Sequence, residues 1–376
     1  MTNKILFVDN SAREFLNFRG FIAETYISKG ISVFLLCPNI TDNKVVEKLE
    51  KMGIEIYHYE QKAKTSPYHD LKLLCRFITV YRKVQPDLII HYTIKPNIYG
   101  SIAAKYNNIK CISVIPGLGS VFQTRSLTRV IVSLLYRVSL KIPCKVWVLN
   151  KDDFNLLTDN RFVALDKIEI MPGEGIDTDF YKSKTLYTRS TIFKFLFVGR
   201  IIREKGVEVL SSASRILRSR GIQNYEINLI GGFDGSLSSG SLTIDDIRRW
   251  ESEKLINYIG QVSNVTDYID ASDCVVLPSF YGEGLPRSLM EASSMQRVAI
   301  TTNNVGCRDV IIDNVNGFIV EPQSAVSLAD KMMEVMVLDE NTLRSMGEAG
   351  RNMMVNKFNK ELIISYYSDL LSSKEC

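Results

Sequence analysis

The chain has 376 residues, of which 45% are hydrophobic and 23% are charged. These proportions are typical of a globular protein that is long enough for two domains with their own cores. The stretch MTNKILFVDN lacks the pattern of a signal peptide, and the apolar run VIVSLLY is far shorter than the roughly 20 residues that span a bilayer. Seven scattered cysteines without a CxxC pair are typical of reduced thiols, so we expect a cytoplasmic protein.

The positive charge is concentrated in the first half of the chain. Residues 1–185 carry 26 Lys and Arg against 18 Asp and Glu, a balance of +8, whereas residues 186–376 carry 20 against 24, a balance of −4. This asymmetry predicts that the first half meets nucleic acid, anionic lipid or a phosphate-bearing acceptor. Because no zinc-finger spacing, basic arm or aromatic-rich RNA-binding segment is present, nucleic acid is not an expected partner.

The first half alternates strand-like and helical stretches in chain order. The apolar runs KILFVD, SVFLLCP, IEIYHY, DLIIHYT, CISVIPG and KVWVLN are typical of strands, and amphipathic stretches lie between them. This alternation predicts an α/β fold with a doubly wound parallel sheet. Such sheets bind ligands beyond the carboxyl ends of their strands, so we expect functional residues in the loops that follow the strands.

The same pattern restarts near residue 190. The runs FKFLFVG, YEINLIGG, LINYIGQ, DCVVLPS and VAITTN predict a second sheet, and the Gly- and Ser-rich insertion at 231–241 predicts a flexible loop. We therefore predict two α/β domains, residues 1–185 and 186–357, with a cleft between them. The segment KELIISYYSDLLSS predicts a last helix at about 358–376, which periodicity alone assigns to neither domain.

The segment FVGRIIREKGVEVL leads from a predicted strand into a predicted helix. Arg200 and Lys205 lie five positions apart in the intervening loop, where two cations and a helix N-terminus could grip a diphosphate. The alternative is a pair of solvated loop charges. No Walker GxxxxGK[ST] motif and no GxGxxG fingerprint follows the first strand of either domain, so a dehydrogenase is disfavoured.

The segment YGEGLPRSLMEA carries two carboxylates. Its two glycines let the backbone approach a ligand closely, and Pro286 suits the first position of a helix. Glu283 then lies in the loop, where it could accept hydrogen bonds from sugar hydroxyls, and Glu291 lies inside the helix, where it could hold a ribose diol. The alternative for Glu291 is an i,i+4 surface pair with Arg287.

Two patterns with metal-binding potential are weaker. Asp177 and Asp179 form a DxD spelling that can mark a metal–nucleotide site, but the surrounding GIDTDFY is turn-rich and joins the two predicted domains. The three histidines are not clustered in the sequence, and no set of residues has metal-ligand spacing. We therefore expect no metal and no other cofactor.

The stretch LTRVIVSLLYRVSLK is strongly apolar and basic. Its cations, together with one that precedes it, are Arg125, Arg129, Arg137 and Lys141. Such a segment predicts a helix that lies at an anionic membrane surface. The alternative is a buried helix whose basic ends reach solvent.

Several motifs together resemble family 4 glycosyltransferases of the GT-B fold. They are FVGRIIREKGV, the Gly-Gly turn at 231–232, YIGQVSNVTDYIDASDCVVLPSFYGEGLPRSLMEA and VGCRDVIIDNVNGFIVEP, which cover nearly all of residues 190–330. The first half, with IKPNIYGSIAA and PGLGSVF, is similar to bacterial members that extend undecaprenyl-diphosphate-linked sugars, including N-acetylgalactosaminyltransferases. The resemblance implies two Rossmann-like domains facing across a deep cleft, with the last helix crossing back to the first domain.

The resemblance also implies roles for residues of the second half. Arg200 and Lys205 hold the donor diphosphate, and Glu283 contacts the donor sugar; these three are the expected catalytic residues. The remaining expected contacts of the donor sugar, phosphate, ribose and base are Gly282, Gly284, Leu285, Glu291, Gln261 and Val262. In the family the segment GIDTDFY is an interdomain turn.

One position departs from the family pattern. Many members carry a His or an acidic residue near the donor sugar, just before the stretch that matches GLGS, whereas this chain has Pro116. We expect the backbone of residues 117–120 to substitute, with Gly117 and Gly119 among the donor-binding residues.

The resemblance thus implies retaining, metal-independent transfer of a hexose or N-acetylhexosamine from a nucleotide sugar, with UDP as the carrier. The acceptor is a lipid-diphosphate-linked saccharide of surface polysaccharide synthesis, such as O-antigen or capsule. The candidates for acceptor contact are three cations that we expect in cleft loops of the first domain: Arg13, Arg19 and Lys95. The expected location is the inner face of the cytoplasmic membrane, bound peripherally. The alternatives are a sugar-nucleotide 2-epimerase of similar fold and a non-catalytic nucleotide-sugar-binding protein.

Overall fold

The chain folds into two compact units. The computed structural model describes residues 3–60, 66–119, 122, 127–233 and 242–372. Unit 1 comprises Met1–Gly175 and Lys360–Cys376, and unit 2 comprises Ile176–Asn359. The first division therefore falls between residues 175 and 176, where the sequence pattern had placed it between 185 and 186. The turn-rich segment with Asp177 and Asp179 belongs to unit 2.

Unit 1 contains a seven-stranded sheet in which every neighbouring pair is parallel. Its strand order is β3-β2-β1-β4-β5-β6-β7, so β1 lies inside the sheet, with Phe7 opposite Leu35 on one side and Ile90 on the other. The strands are β1 (Lys4–Val8), β2 (Ser32–Pro38), β3 (Glu55–Tyr59), β4 (Leu88–Tyr92), β5 (Lys110–Ile115), β6 (Lys145–Val148) and β7 (Ile168–Ile170).

Helices connect these strands and cover the sheet. The helices of unit 1 are α1 (Ala12–Ser28), α2 (Asn43–Lys51), α3 (Pro67–Val84), α4 (Ser101–Tyr106), α5 (Leu127–Ser139), α6 (Lys151–Asp159) and the last helix, α14 (Lys360–Ser372). A π-helical turn, Pro96–Gly100, precedes α4. Successive residues of β1 pack on opposite faces of the sheet. Leu6 and Val8 join the cluster of Phe77 from α3, whereas the ring of Phe7 lies 5.2 Å from that of Phe15 in α1.

The last helix completes the core of unit 1. Tyr367 of α14 is 2% exposed, and its ring centroid lies 4.9 Å from that of Trp147 in β6. The hydroxyls of Tyr367 and Tyr92 lie 2.6 Å apart, and the Tyr26 hydroxyl donates to the Tyr367 carbonyl oxygen at 2.8 Å. These contacts join α14 to α1, β4 and β6, so the implied return of the last helix to the first domain is confirmed.

Unit 2 repeats the architecture with six parallel strands in the order β10-β9-β8-β11-β12-β13. The strands are β8 (Phe193–Val198), β9 (Tyr225–Ile230), β10 (Asn257–Gly260), β11 (Cys274–Leu277), β12 (Val298–Thr302) and β13 (Gly317–Val320). The helices are α7 (Val207–Ser219), α8 (Ile244–Ser252), α9 (Val265–Asp270), α10 (Arg287–Ser294), α11 (Cys307–Val310), α12 (Ala325–Val337) and α13 (Glu340–Lys357).

The two parallel sheets with their covering helices are Rossmann-like, and the α/β fold class predicted from the sequence is confirmed. In each unit the central strands read as nearly continuous apolar runs, as expected when a parallel sheet is covered on both faces. Within the described part of the chain, no helix combines the length and the apolarity needed to cross a membrane.

Replacing Tyr367 tests the contribution of α14 to unit 1. We expect Tyr367→Ala to lower the free energy of unfolding by about 3–5 kcal/mol, because it removes a buried aromatic side chain that touches three other elements. The control is Leu362→Ala on the same helix, where the side chain is 39% exposed and the expected loss is below about 1 kcal/mol. Urea denaturation followed by circular dichroism measures both. Equal stability of the two variants would contradict this role.

Candidate active site

A short loop leaves the carboxyl end of β8 and enters α7. It contains a 3₁₀ turn, Arg203–Lys205, and ends at Gly206, whose φ is +81°. A Cβ atom at residue 206 would lie 2.1 Å from the carbonyl oxygen of Pro278. Only glycine therefore allows both the left-handed backbone and the close approach of the loop that follows β11.

Main-chain hydrogen bonds join these two loops. The amides of Phe280 and Tyr281 donate to the carbonyl oxygen of Glu204 at 2.9 and 3.1 Å. The loop after β12 joins them, because the side-chain amide of Asn304 donates to the Tyr281 carbonyl oxygen. A Cβ at Gly306 would lie 2.2 Å from the Gly284 carbonyl oxygen, so a second glycine permits this contact. Three loops thus form one surface at the carboxyl edge of the sheet.

The predicted catalytic residues meet on this surface. The Nζ of Lys205 lies 2.5 Å from Oε1 of Glu283, and the two side chains are 13% and 10% exposed. The Ser279 hydroxyl also donates to Glu283 Oε1, at 2.9 Å. The guanidinium of Arg200 lies 5.8 Å from the ring centroid of Tyr281, and Lys205 Nζ lies 5.9 Å from the same centroid.

Tyr281 and Ser279 were not predicted as site residues from the sequence. Tyr281 presents its ring to both predicted cations, an arrangement in which the negative face of the ring attracts positive charge. Ser279 holds the carboxylate of Glu283 through the hydrogen bond to its Oε1. Both residues stand beside Glu283 in the segment SFYGEG, so their proximity in the sequence was the available signal.

The second carboxylate lies on α10. Glu291 is 7% exposed, and its Oε1 lies 3.1 Å from Nε of Arg287 one turn earlier. Burial raises the pKa of Glu291, and this effect is opposed by the charge of Arg287 and by a hydrogen bond from Tyr181. The i,i+4 pair that the sequence offered as the alternative is therefore formed, but it is buried and not a surface pair. The ribose role of Glu291 stays a prediction.

The remaining predicted donor residues lie in loops at the same edge of unit 2. Gln261 and Val262 directly follow β10; Gln261 is exposed, whereas Val262 packs partly on the core. The side chain of Gln261 packs closely against Gly232: a Cβ atom built on Gly232 would lie 3.1 Å from Nε2 of Gln261. Gly282, Gly284 and Leu285 belong to the loop before α10 and are half-buried. Residues 234–241 of the predicted flexible insertion lie outside the described residues.

In unit 1 the glycine-containing loop follows β5. Gly119 has a φ of +64°, and Gly117 stands two positions earlier, directly after Pro116. Ser120, whose backbone was expected to help replace the missing side chain, lies outside the described residues. The donor-binding roles of both glycines stay predictions.

Of the three predicted acceptor residues, Arg13 is exposed on unit 1 and Lys95 is half-buried. Arg13 is in the first turn of α1, with its side chain 55% exposed and paired with Asp42 at 2.5 Å. Lys95 precedes the π-helical turn and pairs with Asp70 at 3.1 Å. Both cations are available only in competition with a carboxylate.

Arg19 is different, and the expectation that it stands in a cleft loop was wrong. The helix α1 begins at Ala12, and Arg19 lies inside it with 3% exposure. Its guanidinium lies 3.0 Å from the carboxylate of Asp9, pairs with Glu174 and stands 4.0 Å from the ring centroid of Tyr92. The buried Asp9 and the half-buried Glu174 neutralise this charge, which favours a structural role over acceptor contact.

The residues with metal-binding potential are used otherwise. The carboxylate of Asp177 accepts hydrogen bonds from the amides of Asp179 and Phe180, so the DxD caps its own turn. His91 is fully buried and hydrogen-bonds the Tyr81 hydroxyl at 2.9 Å, and burial lowers its pKa to about 3. Over the described ranges, no group of three or more His, Cys, Asp or Glu is placed to hold a metal ion.

Models of two glycosyltransferase families match the chain. Residues 183–353 match the model described as glycosyl transferases group 1, and residues 4–146 match the model described as glycosyl transferase 4-like. The first match contains the three joined loops, and the second contains most of the unit 1 sheet. Together the two models cover most of the chain.

Curated relatives are similar over nearly the whole length. The chain is 24% identical to the N,N'-diacetylbacillosaminyl-diphospho-undecaprenol α-1,3-N-acetylgalactosaminyltransferase of Campylobacter jejuni, over 91% of each protein. It is also 24% identical, over 81% of each, to an Escherichia coli UDP-Gal:α-D-GlcNAc-diphosphoundecaprenol α-1,3-galactosyltransferase. A Staphylococcus aureus capsular polysaccharide glycosyltransferase, CapM, is 23% identical, with 88% of this chain and 89% of CapM covered.

Solved structures share the fold. The sucrose-phosphate synthase of Thermosynechococcus elongatus superposes with a TM-score of 0.80 and 17% identity, covering 98% of each chain. A structure of Anabaena HepE in complex with UDP-glucose gives a TM-score of 0.78 and 16% identity, over 98% of this chain and 99% of that one. The curated relatives are transferases, which supports the transferase prediction over the epimerase and the non-catalytic alternatives. The chain therefore belongs to the glycosyltransferases of the GT-B fold. Its first half matches the glycosyl transferase 4-like family, and its second half matches glycosyl transferases group 1.

Proposed function

We propose that this enzyme transfers a hexose or N-acetylhexosamine from a UDP-sugar to a lipid-diphosphate-linked saccharide, with retention of anomeric configuration. The observation that carries the proposal is the convergence of Arg200, Lys205 and Glu283 around Tyr281 at the carboxyl edge of the unit 2 sheet. The named activities of the relatives supply the acceptor class, and the UDP-glucose complex of similar fold favours UDP as the carrier.

The two cations suit a leaving nucleotide diphosphate. As the anomeric bond breaks, negative charge grows on the departing phosphate oxygen, and fixed positive groups beside it lower the free energy of the transition state. Lys205 is held in place by Glu283, and Arg200 is exposed beside the same ring. The leaving phosphate oxygen can then take the proton of the acceptor hydroxyl on the same face, so a glycosidase-like nucleophile is not required.

The two carboxylates serve as binding groups in this mechanism. Lys205 and Ser279 both bind Oε1 of Glu283, so within the described residues Oε2 remains for a hydroxyl of the donor sugar. Glu291 is proposed to accept hydrogen bonds from the ribose diol. We also propose that the transfer needs no metal, because the side-chain cations supply the charge stabilisation.

The acceptor is proposed to bind unit 1, at a membrane surface. Helix α5 supports this proposal, because five of its aliphatic side chains are between 51% and 76% exposed: Leu127, Val130, Ile131, Leu134 and Val138. At about 100° per residue, these five positions fall within an arc of about 100° on the helix surface. A stripe of this kind costs free energy in water and gains it at a lipid interface.

Basic residues accompany the stripe. Arg137 is exposed and stands beside the stripe on the helical wheel, and Lys141 is exposed just past the end of the helix. Arg125, the other cation of this segment, lies outside the described residues. An apolar stripe with basic neighbours matches the interface of an anionic bilayer. The proposed location is therefore the inner face of the cytoplasmic membrane, bound peripherally through α5.

Removal of Lys205 tests the role of the cations. We expect Lys205→Ala to lower kcat by about 100- to 1,000-fold, the scale of a lost donor to a developing anion. The control is Arg203→Ala in the same turn. Its side chain is 52% exposed and pairs with Glu208, whose side chain is 47% exposed, so kcat should stay within about twofold of the wild type. Steady-state sugar transfer measures both. Unchanged kcat in Lys205→Ala would refute the electrostatic role.

Glu283→Gln tests the binding carboxylate. The change keeps the shape but removes the charge that holds Lys205, so we expect kcat/KM for the nucleotide sugar to fall about 10- to 100-fold, as for a lost charge-assisted hydrogen bond. Glu204→Gln is the control, because Glu204 is exposed and joins the loops through its main-chain carbonyl. If both variants keep wild-type kcat/KM, Glu283 does not contact the donor.

Vesicle flotation tests the membrane surface. We expect the wild type to float with anionic vesicles at low salt and less at high salt, because salt screens the basic residues. The double variant Ile131→Ser/Leu134→Ser should lose most of this binding. Val326→Ser/Val337→Ser, which changes two aliphatic side chains in unit 2 that are 53% and 78% exposed, should float like the wild type. Equal flotation of both variants would reject α5 as the contact.

A further inference from the structure

Unit 1 contains a cavity that no role described above uses. It has a volume of about 310 Å³, within the roughly 300–1,000 Å³ range of small-molecule sites. The groups lining it that bear on its chemistry are His58, Glu60, His69, Lys72 and Arg76. The three histidines are not clustered in the sequence, but folding brings His58 and His69 to one cavity.

The place of the cavity in the fold is typical of a ligand site. His58 lies near the end of β3, Asn39 directly follows β2, and the other wall is the first half of α3. Parallel sheets of this kind bind ligands beyond the carboxyl ends of their strands, where helix N-termini also point. None of the three predicted acceptor residues lines this cavity.

The chemistry of the lining favours an anion. Lys72 and Arg76 contribute two positive charges, and Glu60 is the one carboxylate among the described lining residues. Arg76 is held by a hydrogen bond from Nε to the carbonyl oxygen of His58 at 2.8 Å. Within the described residues, its terminal nitrogens remain for a ligand. Nδ1 of His58 is buried and has no hydrogen-bond partner among the described residues.

Glu60 does not close the site to an anion. It lies 3.1 Å from Lys72, but the two side chains are 49% and 63% exposed. An exposed pair of this kind contributes at most about 1 kcal/mol, so a doubly charged phosphate group can displace it. Since the described residues contain no metal-ligand group, the cavity is better suited to an oxyanion than to a metal ion.

We propose that this cavity binds a diphosphate group through Arg76, Lys72 and the imidazoles of His58 and His69. This inference rests on the proposed function for the source of the ligand, which is the diphosphate of the lipid-linked acceptor. Arg76 grips the group with a planar fork suited to phosphate oxygens, and Lys72 adds a point charge. Transfer to the acceptor then takes place with its phosphates anchored on unit 1.

Calorimetric titration of the full-length chain with inorganic diphosphate tests the site directly. The protein is first saturated with UDP, so that the cations of unit 2 do not contribute. We expect Arg76→Ala and Lys72→Ala each to weaken diphosphate binding at least tenfold. Arg82→Ala, which removes an exposed cation from the same helix, should change it less than twofold. Binding that is equal in all four proteins would overturn the proposal.

Sugar-transfer kinetics identify the source of the diphosphate. A tenfold higher KM for the lipid-diphosphate acceptor in Arg76→Ala, with the KM for the nucleotide sugar unchanged, supports the acceptor as the source. Lost diphosphate binding with an unchanged acceptor KM supports a free phosphate compound in the same site. If the wild type transfers no sugar but Arg76→Ala still loses diphosphate binding, the proposed function fails and the site stands.

Discussion

The candidate active site depends on one constraint, the close main-chain contact of three loops in unit 2. Gly206 and Gly306 have no Cβ, which lets each loop touch a carbonyl oxygen of the loop after β11. The Glu204 carbonyl then accepts two amides from that loop. Without this contact Lys205 and Glu283, which are 78 positions apart, would not meet. The Lys205–Glu283 ion pair therefore forms only because the backbone contacts bring the two loops together.

Most of the fold could be predicted because parallel sheets leave a strong local signal. Apolar runs such as DLIIHYT and DCVVLPS became fully buried strands. The placement of Arg19 failed for a local reason, since α1 begins two residues after Asn10 and carries Arg19 inward to Asp9 and Glu174. Long-range ion pairs of this kind have no period or spacing in the sequence.

The donor side was more predictable than the acceptor side. Arg200, Lys205 and Glu283 belong to compact motifs in loops at strand ends, where parallel topology gathers them. The contacts of the Tyr281 ring with Arg200 and Lys205 could not be predicted from the sequence, because nothing in the sequence shows what an aromatic side chain in a loop contacts. On the acceptor side, His58 and Arg76 come from different elements, and only the folded sheet shows that they share a cavity.

The return of α14 has a consequence for the order of folding during synthesis. Unit 2 is one continuous stretch of chain and has all its strands once Asn359 has been made. Unit 1 starts earlier in the chain, yet Tyr367, which packs on Trp147 and bonds Tyr92, is synthesised only after the whole of unit 2. Because domains generally fold as units, the unit that is started first is the one whose core is completed last.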